Sequence, residues 1–278
     1  MEELNSILER VRGRIAAACQ RAGRSPDEVE IIAVTKTHGE EVVREAWEAG
    51  LKTVGENKVQ EAAWKKPASV AGPSWHLIGH LQGNKVRPAL ELFDFIHSVD
   101  SVKLINKIEA VAEATGAQPH ILLEVNVSGE KSKTGMPPAE VDEAIRTLME
   151  RAPRITLEGF MTMAPFDEDP EKARPYFRAL RELRDETERK FGVRLPRLSM
   201  GMSGDYEVAV EEGATWVRLG TVLFGERPKV KKSIDFGADA LDSVSGGDAL
   251  DIGVRGARRG FSGLDSYSGE GPTYKVLD

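Results

Sequence analysis

The fold class predicted for this chain is α/β: a closed parallel (β/α)8 TIM barrel, with one helix before it and a disordered tail after it. Three observations predict it. Short β-branched runs alternate with longer helical stretches, giving eight strands each followed by a helix or helical turn. The helical stretches are repeatedly closed by glycine, as at Gly50, Gly116, Gly192 and Gly213. The residues capable of chemistry fall almost all at the carboxyl ends of the strands, where a barrel gathers them onto one rim. An open doubly wound sheet uses the same alternation, but it would strand half of those residues far from the others.

Taken in order, Leu4, Ile7, Leu8, Val11 and Ile15 recur at helical spacing and predict an opening helix over 4–22. Strands are expected over 30–36, 53–55, 75–79, 95–99, 121–127, 156–163, 197–202 and 216–220. Helical segments between them include 40–49, 102–115, 138–151, 171–191 and 205–212. Period-two alternation puts Ile32, Val34 and Lys36 on one strand face, so Lys36 has a dry pedestal beneath it. Lys36, Asn57, His76, His80, Asn126, Met163, Ser203 and Arg218 are expected to converge on the rim.

The barrel occupies 1–229. From 230 to 278 the chain holds nine of its 27 glycines and no sustained apolar period, so it cannot bury enough surface to offset its ordering entropy. That segment is expected to be disordered.

At 278 residues, 40% hydrophobic and with net charge −7, the chain offers no broad attraction for nucleic acid or anionic lipid. It contains no membrane-spanning run, and its start lacks the basic flank of a signal peptide, so a cytoplasmic, monomeric protein is expected. The single cysteine, Cys19, lies beside Ala16–Ala18 in the opening helix and is expected to pack there.

Lys36 ends the apolar run Ile31-Ile32-Ala33-Val34-Thr35. Desolvation at such a lip favours the neutral amine, the form that attacks aldehydes. The run Ser199-Met200-Gly201-Met202-Ser203-Gly204-Asp205 passes from strand to helix and offers a hydroxyl and free amides to an anion. Just beyond, Val217-Arg218-Leu219-Gly220-Thr221 adds a cation, a glycine and a second hydroxyl. The loops after strands seven and eight of a barrel commonly hold a phosphate. An aldehyde for the lysine and a phosphate for the loops point to pyridoxal 5′-phosphate. His76 and His80 have no cysteine or carboxylate to complete a metal set and are expected to brace the rim by hydrogen bonds; His38, His97 and His120 read as loop or strand-edge residues.

The stretches Ala33-Val34-Thr35-Lys36, Gly55-Glu56-Asn57-Lys58-Val59-Gln60-Glu61, Trp75 to Lys85, Asn126-Val127-Ser128 with Lys133-Thr134-Gly135, Gly159 to Met163, and Ser199 through Thr221 to Phe224-Gly225 resemble the pyridoxal phosphate homeostasis protein family. Its members are barrel proteins similar to the amino-terminal domain of bacterial alanine racemase. The resemblance implies that Lys36 forms a Schiff base with pyridoxal phosphate. It also implies that Ser203 and the backbone of Gly204, Gly220 and Thr221 hold the phosphate, that Arg218 faces the pyridine nitrogen, and that Asn57 lines the cofactor's edge. Met202 and Met163 are nearby candidates that core packing explains equally well. Lys58 stands where relatives often carry an aromatic; with Lys85 and Lys133 it is a candidate for passing cofactor on, against the simpler reading of a solvated charge.

Two functional classes follow. The family favours a non-catalytic carrier that stores pyridoxal phosphate and hands it to apo-enzymes dependent on it. The alternative is a racemase-like enzyme, which needs an acid/base on each face of the substrate. Barrel enzymes of that kind take the second base, a tyrosine, from a carboxyl-terminal β domain. Here Tyr176 and Tyr206 fall in predicted helices, and Tyr267 and Tyr274 fall in the glycine-rich tail, so the carrier ranks first. A third possibility is an interaction module that the cofactor merely stabilises, which direct transfer to an apo-enzyme would separate from a carrier.

Overall fold

The structure is a computed structural model that describes residues 2–130 and 133–225; the tail expected from residue 230 onward lies outside them. A long helix α1 (Glu2–Ala22) comes first. It is followed by β1 (Glu30–Val34), α2 (Glu40–Glu48), β2 (Thr53–Glu56), α3 (Val59–Ala68), β3 (Ser74–Leu77), α4 (Val86–Leu92), β4 (Phe95–Val99), α5 (Val102–Thr115) and β5 (His120–Glu124). Then come α6 (Val141–Arg151), β6 (Thr156–Met161), α7 (Arg174–Phe191), β7 (Arg197–Ser199), α8 (Tyr206–Glu211), β8 (Trp216–Leu219) and a short α9 (Thr221–Phe224).

The eight strands close into a parallel barrel in sequence order, with β8 pairing back onto β1 through Ile32 opposite Arg218. Closure leaves no strand edge unpaired. Local sequence sets several boundaries: the Ser101 hydroxyl accepts from Leu104 N–H to cap α5, and Gly116 and Gly192 end α5 and α7 in the left-handed region at φ 74° and 65°. Helix α1 buries Leu4, Leu8, Val11, Ile15, Ala18 and Cys19, and packs on α8 beside the rim loop that follows β7. Arg14–Glu207 and Arg21–Glu211 pairs, both 2.5 Å, flank that contact.

Two apolar layers result. The larger lies between strands and helices; the smaller, inside the barrel, is Ile32, Leu122, Met161 and Trp216, with Phe95 and Met163 packed on it. Among the described residues, no helix is long and apolar enough to cross a membrane.

Most strands end short of their predicted carboxyl limits. Regular pairing of β1 with β2 stops at Val34 opposite Gly55, so Lys36 and Asn57 sit in the loops just beyond and strand alternation does not aim them. The apolar period did not mark α3, because a lysine occupies its core face: Val59, Ala62 and Lys65 are its buried residues, and Pro67 lies near its end.

Candidate functional site

Beyond β1 the chain makes a tight turn through Thr35, Lys36 and Thr37. Thr37 lies at φ 68°, an unusual place for a β-branched residue. The turn is clamped from both sides: the Thr35 hydroxyl donates to Glu56 Oε1 (2.6 Å), and the Thr37 N–H donates to Glu61. Lys65, with no exposed surface, donates to the Thr35 carbonyl (2.8 Å), Glu56 Oε1 (2.8 Å) and Glu61 Oε1 (2.7 Å). Glu56 is wholly buried, which pushes its carboxyl above the usual carboxylate range although Lys65 pulls it down, and among the described residues its Oε2 has no partner. Lys36 is half-buried on this platform.

Asn57, also half-buried, follows β2, and Gly79 comes against its backbone after β3; a Cβ on Gly79 would stand 2.3 Å from the Asn57 carbonyl oxygen. Only glycine allows that approach.

On the opposite side of β1, the loops after β7 and β8 meet. Gly201 turns at φ 89° against Ala209 and accepts from the Arg218 N–H. The Val222 N–H donates to Ser203 Oγ (3.2 Å), which leaves the serine's own proton to donate elsewhere. Among the described residues, the amides of Ser203, Gly204, Gly220 and Thr221 donate to no backbone or side-chain acceptor. Four open N–H groups and a hydroxyl, on two loops joined by the Val222–Ser203 bond, make a candidate anion site. It adjoins β1 directly: a Cβ on Gly220 would lie 3.4 Å from Val34, two residues before Lys36, and His38 and Phe224 sit with ring centroids 5.8 Å apart.

Arg218 lies beneath, 4% exposed, donating to Ser199 Oγ (2.8 Å) and the Thr162 carbonyl (2.9 Å). Burial lowers its pKa to about 10, offset by Asp205 and Glu124, so it remains a cation at neutral pH. Burial raises Asp205, although the Met202 N–H and Arg218 pull it down; the Asp205 carboxylate accepts from that Met202 N–H (2.6 Å) and so shapes the loop. Glu124, 2% exposed, is likewise raised by burial and accepts from the Thr134 hydroxyl.

Lys36, Asn57, Ser203, Gly204 and Gly220 thus lie in rim loops, Thr221 opens α9 beside them, and Arg218 lies just below. Other expectations need correction. His76 is not on the rim: it is 1% exposed inside β3 and 2.9 Å from His97. His97 is neither loop nor strand edge but wholly buried in β4, because closure turns that strand face inward. Burial lowers both imidazoles, His76 to about 3. His80 is exposed and faces Asp100 at 3.4 Å. Asn126 closes its own turn, accepting from Ser128 Oγ and the Gly129 N–H. Met163 packs on the inner cluster, Met202 is 37% exposed, Lys58 is exposed, and Lys133 donates to the Ala164 carbonyl at 3.4 Å. Sequence reasoning missed Glu56, Glu61, Lys65, Glu124, Ser199 and the inward histidines. The four-residue spacing of Glu61 and Lys65 was the one local signal available.

The donor set fits a phosphate monoester carrying an aldehyde: open amides and a hydroxyl for the anion, an amine one strand away, and a buried cation below. That is the chemistry of the pyridoxal phosphate expected from sequence.

The family profile described as the alanine racemase N-terminal domain matches residues 8–228. The pyridoxal phosphate homeostasis protein of Aquifex aeolicus (strain VF5) is 47% identical over 221 residues, covering 79% of this chain and 96% of its own. The structure of PipY from Synechococcus elongatus PCC7942 with pyridoxal phosphate bound superposes with a TM-score of 0.68 at 37% identity, over 77% of this chain and all of that one. An alanine racemase from Clostridium difficile 630, 16% identical, shares the fold with a TM-score of 0.62 across 83% of this chain and 58% of its own.

Proposed function

The chain belongs to the pyridoxal phosphate homeostasis protein family, whose barrel is the alanine racemase N-terminal domain, and on that premise we propose that it is a non-catalytic carrier of pyridoxal 5′-phosphate, held on Lys36. The observation that carries this reading is the adjacency of the Lys36 turn to the Ser203–Gly204 and Gly220–Thr221 amides across β1 and β8.

When bound, the group supplies an aldehyde that condenses with an amine, and a phosphate that anchors it. The chain supplies the rest. Lys36 offers the amine from a turn fixed by Lys65, Glu56 and Glu61. Ser203, Gly204, Gly220 and Thr221 would take the phosphate, Asn57 would line the edge, and Arg218 would face the ring nitrogen. A guanidinium there disfavours a proton on that nitrogen, which weakens the ring as an electron sink. Carbanion chemistry is thereby discouraged.

Neither tyrosine among the described residues lies in a rim loop from which it could serve the second face of a bound amino acid. Tyr206 is 2% exposed at the start of α8, and Tyr176 lies on α7. A site that holds the cofactor without turning it over suits storage and transfer to apo-enzymes, and a monomer suffices for it.

Borohydride reduction of cofactor-saturated protein followed by peptide mapping tests the attachment. Lys36 should be labelled, Lys36→Ala should lose both the label and the visible absorbance, and neither protein should racemise or otherwise turn over amino acids. Labelling elsewhere, or lysine-dependent turnover, would overturn the carrier reading.

A further inference from the structure

Arg218 is the upper end of a hydrogen-bonded chain that descends through the barrel. Its Nη1 donates to Ser199 Oγ (2.8 Å); Ser199 Oγ lies 2.9 Å from His97 Nδ1, His97 Nε2 lies 2.9 Å from His76 Nδ1, and His76 Nε2 lies 3.2 Å from Ser74 Oγ at the start of β3. Ser199, His97 and His76 are at most 1% exposed, which leaves them no bulk water as an alternative partner. The rings are also fixed sterically. His97 stacks on Trp216 with centroids 5.0 Å apart, and His76 sits between Phe95 at 4.6 Å and Trp216 at 4.8 Å.

The direction of every proton in this chain follows from one end. A guanidinium has donors only, so Ser199 Oγ accepts from Arg218 and has a single proton to place. Its other neighbour is His97 Nδ1, which must therefore accept. His97 then carries its proton on Nε2 and donates to His76 Nδ1, and His76 carries its own on Nε2 and donates to Ser74. Running the chain the other way would make Ser199 accept twice and bury its hydroxyl proton without a partner, a costly arrangement. Burial supports the same assignment, since both imidazoles are held neutral.

We propose that His97 and His76 are positioning residues for Arg218: as neutral Nε2–H tautomers they form a one-way relay, through Ser199, that fixes the plane of the guanidinium at the barrel mouth and so makes the site select ligands presenting a lone pair there. The Thr162 carbonyl holds the second guanidinium nitrogen, so loss of the Ser199 contact frees the group to pivot rather than to leave. This inference rests on the carrier reading only for the identity of the ligand. The relay itself is a property of the protein alone.

Two measurements test it separately. Long-range 15N–1H correlation spectra of the ligand-free protein should show both His76 and His97 as Nε2–H tautomers from pH 5 to 8; an Nδ1–H tautomer or an imidazolium at either position would overturn the relay. The second compares pyridoxal phosphate with its 1-deaza analogue, in which C–H replaces the ring nitrogen. Ser199 is varied rather than His97, because excising a buried imidazole would open a cavity. The wild-type protein should prefer pyridoxal phosphate by about tenfold, Ser199→Ala should lose most of that preference and shift the His97 Nδ1 resonance, and Ser199→Thr should restore both. Retention of the preference and of the His97 signature in Ser199→Ala would overturn the proposal. Failure of the wild-type protein to bind pyridoxal phosphate would instead overturn the carrier reading, and the tautomers would still decide the relay.

Discussion

Replacing Lys65 with methionine keeps the length of a side chain that has no exposed surface and removes its charge together with three hydrogen bonds, to the Thr35 carbonyl, Glu56 and Glu61. Glu56 is equally buried and already has one oxygen unpartnered among the described residues, so the substitution strands a carboxylate in the layer between β2 and α3. Removing one partner of a buried pair costs about 3–5 kcal/mol. For a domain of this size that is roughly 6–20 °C in Tm. The loss also has a pH signature. The Glu56 carboxyl is raised in the folded protein by burial, against the pull of Lys65, and loss of Lys65 raises it further. A carboxyl raised on folding contributes stability at low pH that disappears as pH climbs through its folded value, so the gap between Lys65→Met and wild type should widen from pH 5 to pH 8. Calorimetric melts across that range measure it, and the double variant Glu56→Gln with Lys65→Met should recover at least half of the loss. A drop below about 2 °C, or one independent of pH and of Glu56, would refute the account of this network. Because Lys65 and Glu61 hold the residues on either side of Lys36, the single variant should also bind pyridoxal phosphate more weakly.

Gly79→Ala would set a Cβ 2.3 Å from the Asn57 carbonyl oxygen and 2.7 Å from its Cα, both backbone atoms that cannot step aside. It should cost about 1–3 kcal/mol by denaturant titration and lower cofactor affinity, whereas an unchanged midpoint would show that the rim yields easily. Tyr206→Phe removes a buried hydroxyl that has no partner among the described residues, so its Tm should hold or rise by the equivalent of about 1 kcal/mol; a clear fall would reveal a hydrogen bond at that oxygen. Arg174 ties α7 to α8 through Glu211 and Glu212 and also bonds Glu171, so Arg174→Ala should cost about 1.5–3 kcal/mol at neutral pH. The Arg174 hydrogen bonds hold Glu171 below the usual carboxylate range, and burial of Glu211 and Glu212 is outweighed by their arginine partners, so all three are lowered on folding. Their stabilisation is present above the ordinary carboxylate value and fades as pH falls through the lowered ones; melts of wild type and Arg174→Ala should therefore converge in acid, and a constant gap would count against this pairing.

The alternation of β-branched runs with glycine-ended helices determined the repeating βα units, because period and glycine stops are local properties that each segment expresses on its own; what favoured a barrel over an open sheet was the gathering of reactive residues at the strand ends. The same local grammar located the rim. Lys36 follows an apolar run, and Ser203, Gly204, Gly220 and Thr221 stand where strands hand over to helical turns, so these positions were legible before any contact was known. The tertiary structure alone decided which polar residues turned inward. His97 meets Ser199 across 102 positions of sequence, and Lys65 reaches Thr35 across 30, so no window of sequence holds both partners. Alternation says which residues share a face of a strand. Only closure of all eight strands, with β8 returning to β1, makes one face an interior in which a histidine or an arginine must find its hydrogen bonds within the protein.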